Sequence, residues 1–237
     1  MSALILHGML DGDAPTPSDA PPHRKIRLGD LRALVSDARD PTPAGEAADT
    51  VSAALFHHQV LTAYCQGADV LPVRFGTAFS SVTALTQEVM ATQRQMQEAL
   101  GRIAGCVEYV VSLAATAPRQ PVDPIAVKGR AFLSAKRHQR DDRRSHTARR
   151  RALAAELTKG LEDRATRTLN MSTKDADKLL MRKAVLVPRK GIAAFADLAS
   201  SYDTSADTRD LTLRLVGPGP CYSFVDPAAW VETQVCA

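Results

Sequence analysis

The sequence is poor in aromatic residues, which make up 5% of the chain, and its four cysteines form no C-x-x-C pair. Alanine supplies much of the 45% hydrophobic fraction, so we expect helices to meet through small side chains rather than across a large aromatic core. Isolated cysteines at positions 65, 106, 221 and 236 are typical of a cytosolic protein with free thiols.

Long apolar runs are also missing. Met1 to Leu10 has no basic stretch of the kind that opens a secretory signal. The longest candidate span, Ile103 to Ala117, is too short to cross a bilayer and contains Glu108. The expected location is therefore cytoplasmic, with no membrane contact.

Motifs for nucleotides, metals and catalysis are absent as well. No Walker A or G-x-G-x-x-G pattern occurs, and Pro218 and Pro220 interrupt the Gly217/Gly219 pair, removing amides that would cradle a phosphate. Adjacent helical residues such as His57 and His58 point ~100° apart and cannot share a metal. We therefore predict no cofactor, no metal and no enzymatic activity.

Positive charge is concentrated in one segment. The formal net charge is +4, whereas Lys136–Arg151 alone carries eight basic residues against Asp141 and Asp142. Such a run attracts nucleic acid electrostatically, but it lacks aromatic residues for stacking on bases. It is equally typical of a solvated helix or a protein contact, and both interpretations stay open.

Hydrophobic periodicity in the first half predicts an α+β domain, an antiparallel sheet with helices on one face. The helix at 46–66 places Val51, Leu55, His58, Leu61 and Cys65 near one face, and Ser80 or Ser81 is suited to cap the next helix. The predicted elements are strands at 3–10, 31–36, 70–79 and 106–113, with helices at 46–66 and 82–100.

The second half predicts a helical excursion attached to a small β-α-β unit. A helix over 125–163 has apolar stripes at both ends and an almost wholly polar middle. Strands follow at 179–187 and 210–216, with a short helix at 192–201 between them. The proline-rich stretch 114–124 reads as a linker, which gives domains of residues 1–117 and 118–237.

One short stretch, Val70 to Phe79, has an unusual order of residues. Apolar residues and Pro72 predict an edge strand, and Gly76 permits a sharp bend after it. Arg74 lies between apolar neighbours, so we expect it to anchor the turn by bonding carbonyls or an acid such as Glu108. Alternation along its own strand favours an exposed position for Glu108.

The end of the chain carries a second distinctive stretch. Gly217-Pro218-Gly219-Pro220 predicts a restricted turn after a strand. Tyr222 and Phe224 lie two residues apart, so in an extended segment they would face the same side. They are expected to close the second domain's core or to contact a partner.

Together these blocks resemble the gas vesicle GvpF/GvpL family. The resemblance rests on Val70–Phe79 with His57 upstream, on Glu108-Tyr109-Val110-Val111, on Gly129-Arg130-Ala131-Phe132-Leu133, and on Leu213–Val225. The chain departs from the family pattern at Gly219 and Cys221, where the family has Trp and Pro, and at His7, where it has Tyr.

The resemblance implies a ferredoxin-like N-terminal domain and a second α/β domain with a long helical excursion. It also implies a non-enzymatic gas vesicle accessory protein or minor structural component, which binds the hydrophobic main shell protein and other accessory proteins and helps nucleate the vesicle. Candidate partner-binding or structural residues are Arg74, Phe75, Gly76, Phe79, Glu108, Tyr222 and Phe224. Alternatives are a nucleic-acid-binding regulator acting through Lys136–Arg151, or an enzyme with a site near Cys65 or Glu108.

Overall fold

A computed structural model describes residues 3–37, 46–115, 130–172, 179–207 and 211–225, apart from the side chains of 46–49, 130–135, 139, 142–143 and 203–207. Contacts divide the chain into two compact units. The first contains Met1–Glu108 and Gly217–Ala237, and the second contains Tyr109–Val216. The predicted domain boundary after residue 117 lies outside the described residues.

The first unit is built on an antiparallel sheet with the apolar strand β1 inside it. The sheet order is β2-β3-β1-β4, and the two-residue strand β5 also pairs with β1. Leu6, Met9 and Leu10 of β1 are fully buried. The strands are β1 (Leu4–Asp11), β2 (Arg24–Leu28), β3 (Leu31–Asp37), β4 (Val70–Pro72) and β5 (Ala78–Phe79).

Two helices pack on this sheet, α1 (Glu46–Cys65) and α2 (Val82–Ile103). The Ser81 hydroxyl accepts a hydrogen bond of 3.1 Å from the Ala84 amide, as expected for the α2 cap. Gly8 allows α1 to lie close to β1, because a Cβ at that position would stand 2.6 Å from a Leu61 methyl. An antiparallel sheet with packed helices confirms the predicted α+β class.

The second unit contains a four-stranded sheet in the order β7-β8-β6-β9. Leu153, Leu157 and Leu161 of its long helix are buried, which confirms the predicted apolar stripe at that end. Phe195 is fully buried, with its ring 4.8 Å from that of Tyr109. The elements are β6 (Cys106–Ala115), α3 (Arg130–Glu162), β7 (Arg167–Asn170), β8 (Leu179–Pro188), α4 (Ile192–Asp207) and β9 (Leu211–Gly219). The first three residues of β6 and the last three of β9 belong to the first unit.

The prediction for the end of the chain was partly wrong. Strand β9 continues to Gly219, so most of the predicted turn at 217–220 lies within a strand, and Gly217 has a φ of +134° that favours glycine. Tyr222–Phe224 form one 3₁₀ turn instead of an extended segment. Because of that turn the two rings do not share a side: Tyr222 is exposed, whereas Phe224 is buried.

Candidate functional site

The turn between β4 and β5 is held by backbone groups. Gly76 has a φ of +86°, a backbone conformation that residues with a side chain rarely adopt, which explains why glycine occupies this position. The amide and hydroxyl of Thr77 both donate to the Arg74 carbonyl, at 3.2 and 2.7 Å. The Arg74 side chain itself is exposed. Arg74 therefore contributes its carbonyl to the turn, and the predicted pairing with Glu108 is wrong.

The two phenylalanines that flank this turn differ in exposure. The Phe75 ring is 41% exposed and meets the edge of the His57 ring, with centroids 5.7 Å apart. Phe79 is half-buried in β5, where it pairs with Leu4 of β1. Phe75 thus presents apolar surface to solvent, and Phe79 contributes to the sheet.

Beneath the turn lies a buried histidine pair that the sequence did not predict. His7 Nδ1 is 3.1 Å from His57 Nδ1, and His7 Nε2 is 3.0 Å from the Ser36 hydroxyl. His57 Nε2 is buried with no hydrogen-bond partner among the described residues. The Nδ1–Nδ1 contact requires one shared proton, so only one of the two rings donates there.

Burial keeps this pair neutral. It lowers the pKa of His7 to about 3, with the neighbouring His57 as a second cause. Burial likewise lowers the pKa of His57 to about 4. The nearby Val73 backbone raises that pKa, but by less than burial lowers it. A charged imidazole here would lose its hydration without gaining an acid partner.

Glu108 is a buried carboxylate of the first unit whose two oxygens both accept hydrogen bonds. Its side chain is buried, and its two oxygens accept hydrogen bonds of 2.7 Å from the amide and the hydroxyl of Ser223. Burial raises the pKa of the Glu108 carboxyl, and the bonds from Ser223 oppose that shift. The expectation of an exposed Glu108 was wrong because Cys106, Val107 and Tyr109 around it are buried too, so β6 has no solvent face here.

Next to Ser223, Tyr222 is placed on helix α1. Its ring stacks on His58 with centroids 6.0 Å apart and an interplanar angle of 24°, and its hydroxyl lies 3.4 Å from His58 Nδ1. Partial burial raises the pKa of the phenol. Phe224 is buried and belongs to the first unit, so it contributes to the core of that unit and not, as predicted, to the core of the second.

Helix α1 exposes apolar side chains that were predicted to share a face with buried ones. Val51 is 61% exposed and Leu55 is 55% exposed, whereas Leu61 and Cys65 are buried. Apolar residues occur on more than one side of this helix, so periodicity alone did not identify the side that faces the sheet. The buried side contains Val60, Leu61 and Tyr64.

The basic segment forms the solvent-exposed middle of α3. From Lys136 to Arg149 every described side chain is exposed, in agreement with a helix that projects into water. Within the described residues, no cluster of three His, Cys, Asp or Glu side chains is arranged to hold a metal ion. None of the helices in that same part of the chain is long and apolar enough to cross a membrane.

Comparisons with known proteins agree with this architecture. Two solved crystal structures share the fold: GvpF from Anabaena sp. PCC7120 has a TM-score of 0.69 at 19% identity, covering 95% of this chain and 97% of that one. GvpF from Microcystis aeruginosa has a TM-score of 0.68 at 17% identity, covering 94% and 99%.

Comparisons of sequence show the family as well as the fold. Gas vesicle protein F2 of Halobacterium salinarum is 31% identical over 201 residues, which cover 83% of this chain and 76% of that protein. Gas vesicle protein L2 of the same organism is 29% identical over 179 residues, 65% of this chain and 63% of that protein. A family model described as gas vesicle synthesis protein GvpL/GvpF matches residues 12–226. With this match across most of its length, the chain belongs to the gas vesicle GvpL/GvpF family.

Proposed function

We propose that this protein is a non-catalytic gas vesicle assembly factor, which binds the main shell protein and helps nucleate the vesicle. Family membership supports a role in gas vesicles. The observation that favours binding of an apolar partner is the outer face of α1, where Val51 and Leu55 stand more than half exposed. The expected location is the cytoplasm and the gas vesicle, together with other accessory proteins.

The physical basis is protection of apolar surface. A shell subunit that has not yet assembled exposes surface which water drives to aggregate. A partner with its own exposed apolar face lowers the free energy of that subunit by covering it until it joins the growing shell. No covalent step is needed for this role.

Co-expression with the shell protein tests the proposal. The full-length chain with an affinity tag is captured after nuclease treatment, and bound proteins are identified by mass spectrometry. We expect the shell protein to be recovered in amounts comparable to the bait. Recovery of no shell protein would refute the proposal. A nuclease-sensitive complex formed through Lys136–Arg151 would support the regulator in its place.

A further inference from the structure

Three exposed side chains of α1 and one aromatic residue of the closing segment lie together in the first unit. Val51, Leu55 and His58 follow one another at helical spacing, four and three residues apart, and so occupy one side of the helix. The Tyr222 ring stacks on His58 and is 37% exposed. We call these four side chains the α1–Tyr222 surface.

This surface carries no formal charge. No Asp, Glu, Lys or Arg occurs from Thr50 to Ala68. Helix α2 differs: its exposed apolar residues Val82 and Met90 lie two turns apart, and Met90 has the exposed, charged Arg94 one turn further on. Single exposed apolar residues are common on proteins, but adjacent ones in an uncharged setting are typical of a binding site. A partner with charged side chains here would lose their hydration without compensation.

Tyr222 is held in this surface by its neighbour. Ser223 donates its amide to one oxygen of Glu108 and its hydroxyl to the other, both at 2.7 Å. Cys221, on the other side of Tyr222, is buried. Tyr222 lies between this bonded residue and this buried one, with its ring stacked on His58. Glu108 therefore acts as a positioning residue for Tyr222.

We propose that the α1–Tyr222 surface binds an uncharged, apolar face of the gas vesicle shell protein, and that the Glu108–Ser223 pair sets its shape by fixing Tyr222. This inference rests on the proposed function, because it names where that partner binds. It commits the contact to one side of one helix in the first unit. The exposed basic middle of α3 has no part in it.

Matched serine variants test the location. Leu55→Ser and Met90→Ser remove side chains of similar size and exposure, 55% and 54%, from two helices of the same unit. In the co-expression capture, Leu55→Ser should lower the ratio of shell protein to bait roughly tenfold, the effect of losing one buried Leu contact. Met90→Ser should leave the ratio unchanged. Both sites are exposed, so both variants should fold, which circular dichroism checks.

A double-substitution comparison tests the positioning role. Tyr222→Ala and Glu108→Leu, which removes both acceptor oxygens, should each weaken capture several-fold, and the double variant should be no worse than Tyr222→Ala alone, because both changes remove the same contact. Tyr222→Phe keeps the ring and should retain capture. Effects that multiply in the double variant would refute the positioning role, and circular dichroism would show whether any variant had lost its fold.

The outcomes separate the two claims. If the wild-type chain captures no shell protein, the proposed function fails. If the wild-type chain captures it and Leu55→Ser does so equally well, the function stands and the α1–Tyr222 surface is refuted. An equal loss in Leu55→Ser and Met90→Ser also refutes this surface, because it would indicate non-specific apolar contact.

Discussion

The buried pair His7 and His57 predicts that the first unit loses stability in mildly acidic solution. In the native state both rings are neutral, and their pKa values are lowered to about 3 and about 4. In the unfolded chain a histidine takes up a proton near pH 6.5. The unfolded state therefore binds more protons below that pH, and acid shifts the equilibrium toward it.

The size of the effect follows from these pKa values. A pKa difference of one unit corresponds to about 1.4 kcal/mol. Between pH 7.5 and pH 5.0 each ring contributes a loss of about 2 kcal/mol, so the pair contributes about 4 kcal/mol. The stabilisation is fully present above pH 6.5 and is lost as the pH falls toward the two native values. Burial raises the pKa of the Glu108 carboxyl, which has the opposite sign and offsets part of the loss at the acidic end.

Urea denaturation at pH 7.5, 6.5, 5.5 and 5.0, followed by far-UV circular dichroism, measures this dependence. His57→Gln keeps a polar group beside His7 but removes one titrating ring, so its loss between pH 7.5 and 5.0 should be about half that of the wild type. His138→Gln is the matched control, since His138 is exposed in α3 and its removal should leave the wild-type dependence intact.

Two results would refute this reasoning. Stability that stays flat from pH 7.5 to 5.0 in the wild type would show that the pair is not kept neutral by the fold. An equal change of slope in His57→Gln and His138→Gln would show that burial of His57 is not the cause.

Three further predictions concern local structure, each checked by thermal melting. Gly8→Ala should destabilise the protein by about 1–3 kcal/mol, because its Cβ would stand 2.8 Å from the Leu71 carbonyl oxygen. Gly67→Ala, with open space around the added Cβ, should not destabilise it. An equal shift of melting temperature in both variants would refute the steric argument. Ser81→Ala should cost about 0.5–2 kcal/mol through loss of the α2 cap, and Ser81→Asp should restore it. Arg74→Ala should change stability by less than about 0.5 kcal/mol, since that side chain is exposed; a large fall in melting temperature would revive an anchoring role for the guanidinium.

Sequence patterns predicted the elements whose signals are local. Helix α2 has a capping serine, so its start followed from the sequence. Of the apolar residues that recur there at helical spacing, Leu85, Val89, Met96 and Leu100 are buried, whereas Val82 in the first turn is exposed. Strand β8 has a run of apolar residues closed by Pro188. Strands β2 and β7 were missed, because they are short and mostly polar and depend on pairing with β3 and β8.

The candidate site was less predictable because its contacts are long-range. Glu108 and Ser223 are 115 residues apart, and no local pattern pairs a buried carboxylate with a hydroxyl so distant in the chain. His7 and His57 are separated by 50 residues, and their contact depends on how α1 lies on β1. The outer face of α1 was missed for a different reason: a helix with apolar residues on more than one side allows two orientations, and only packing against the sheet selects one.

The first unit is made of two segments that are far apart in the chain, so its parts are synthesised at different times. Its closing residues, 217–225, come after the whole of the second unit in the chain. At typical translation rates of about 5–20 residues per second, the 115 residues between Glu108 and Ser223 take roughly 6 to 23 s to emerge from the ribosome. During that interval Glu108 lacks the two donors of Ser223, and Tyr222 has not yet been made. A newly synthesised chain therefore completes the α1–Tyr222 surface only when translation is nearly finished, and on the function proposed above its binding of an apolar partner would be a late property of the molecule.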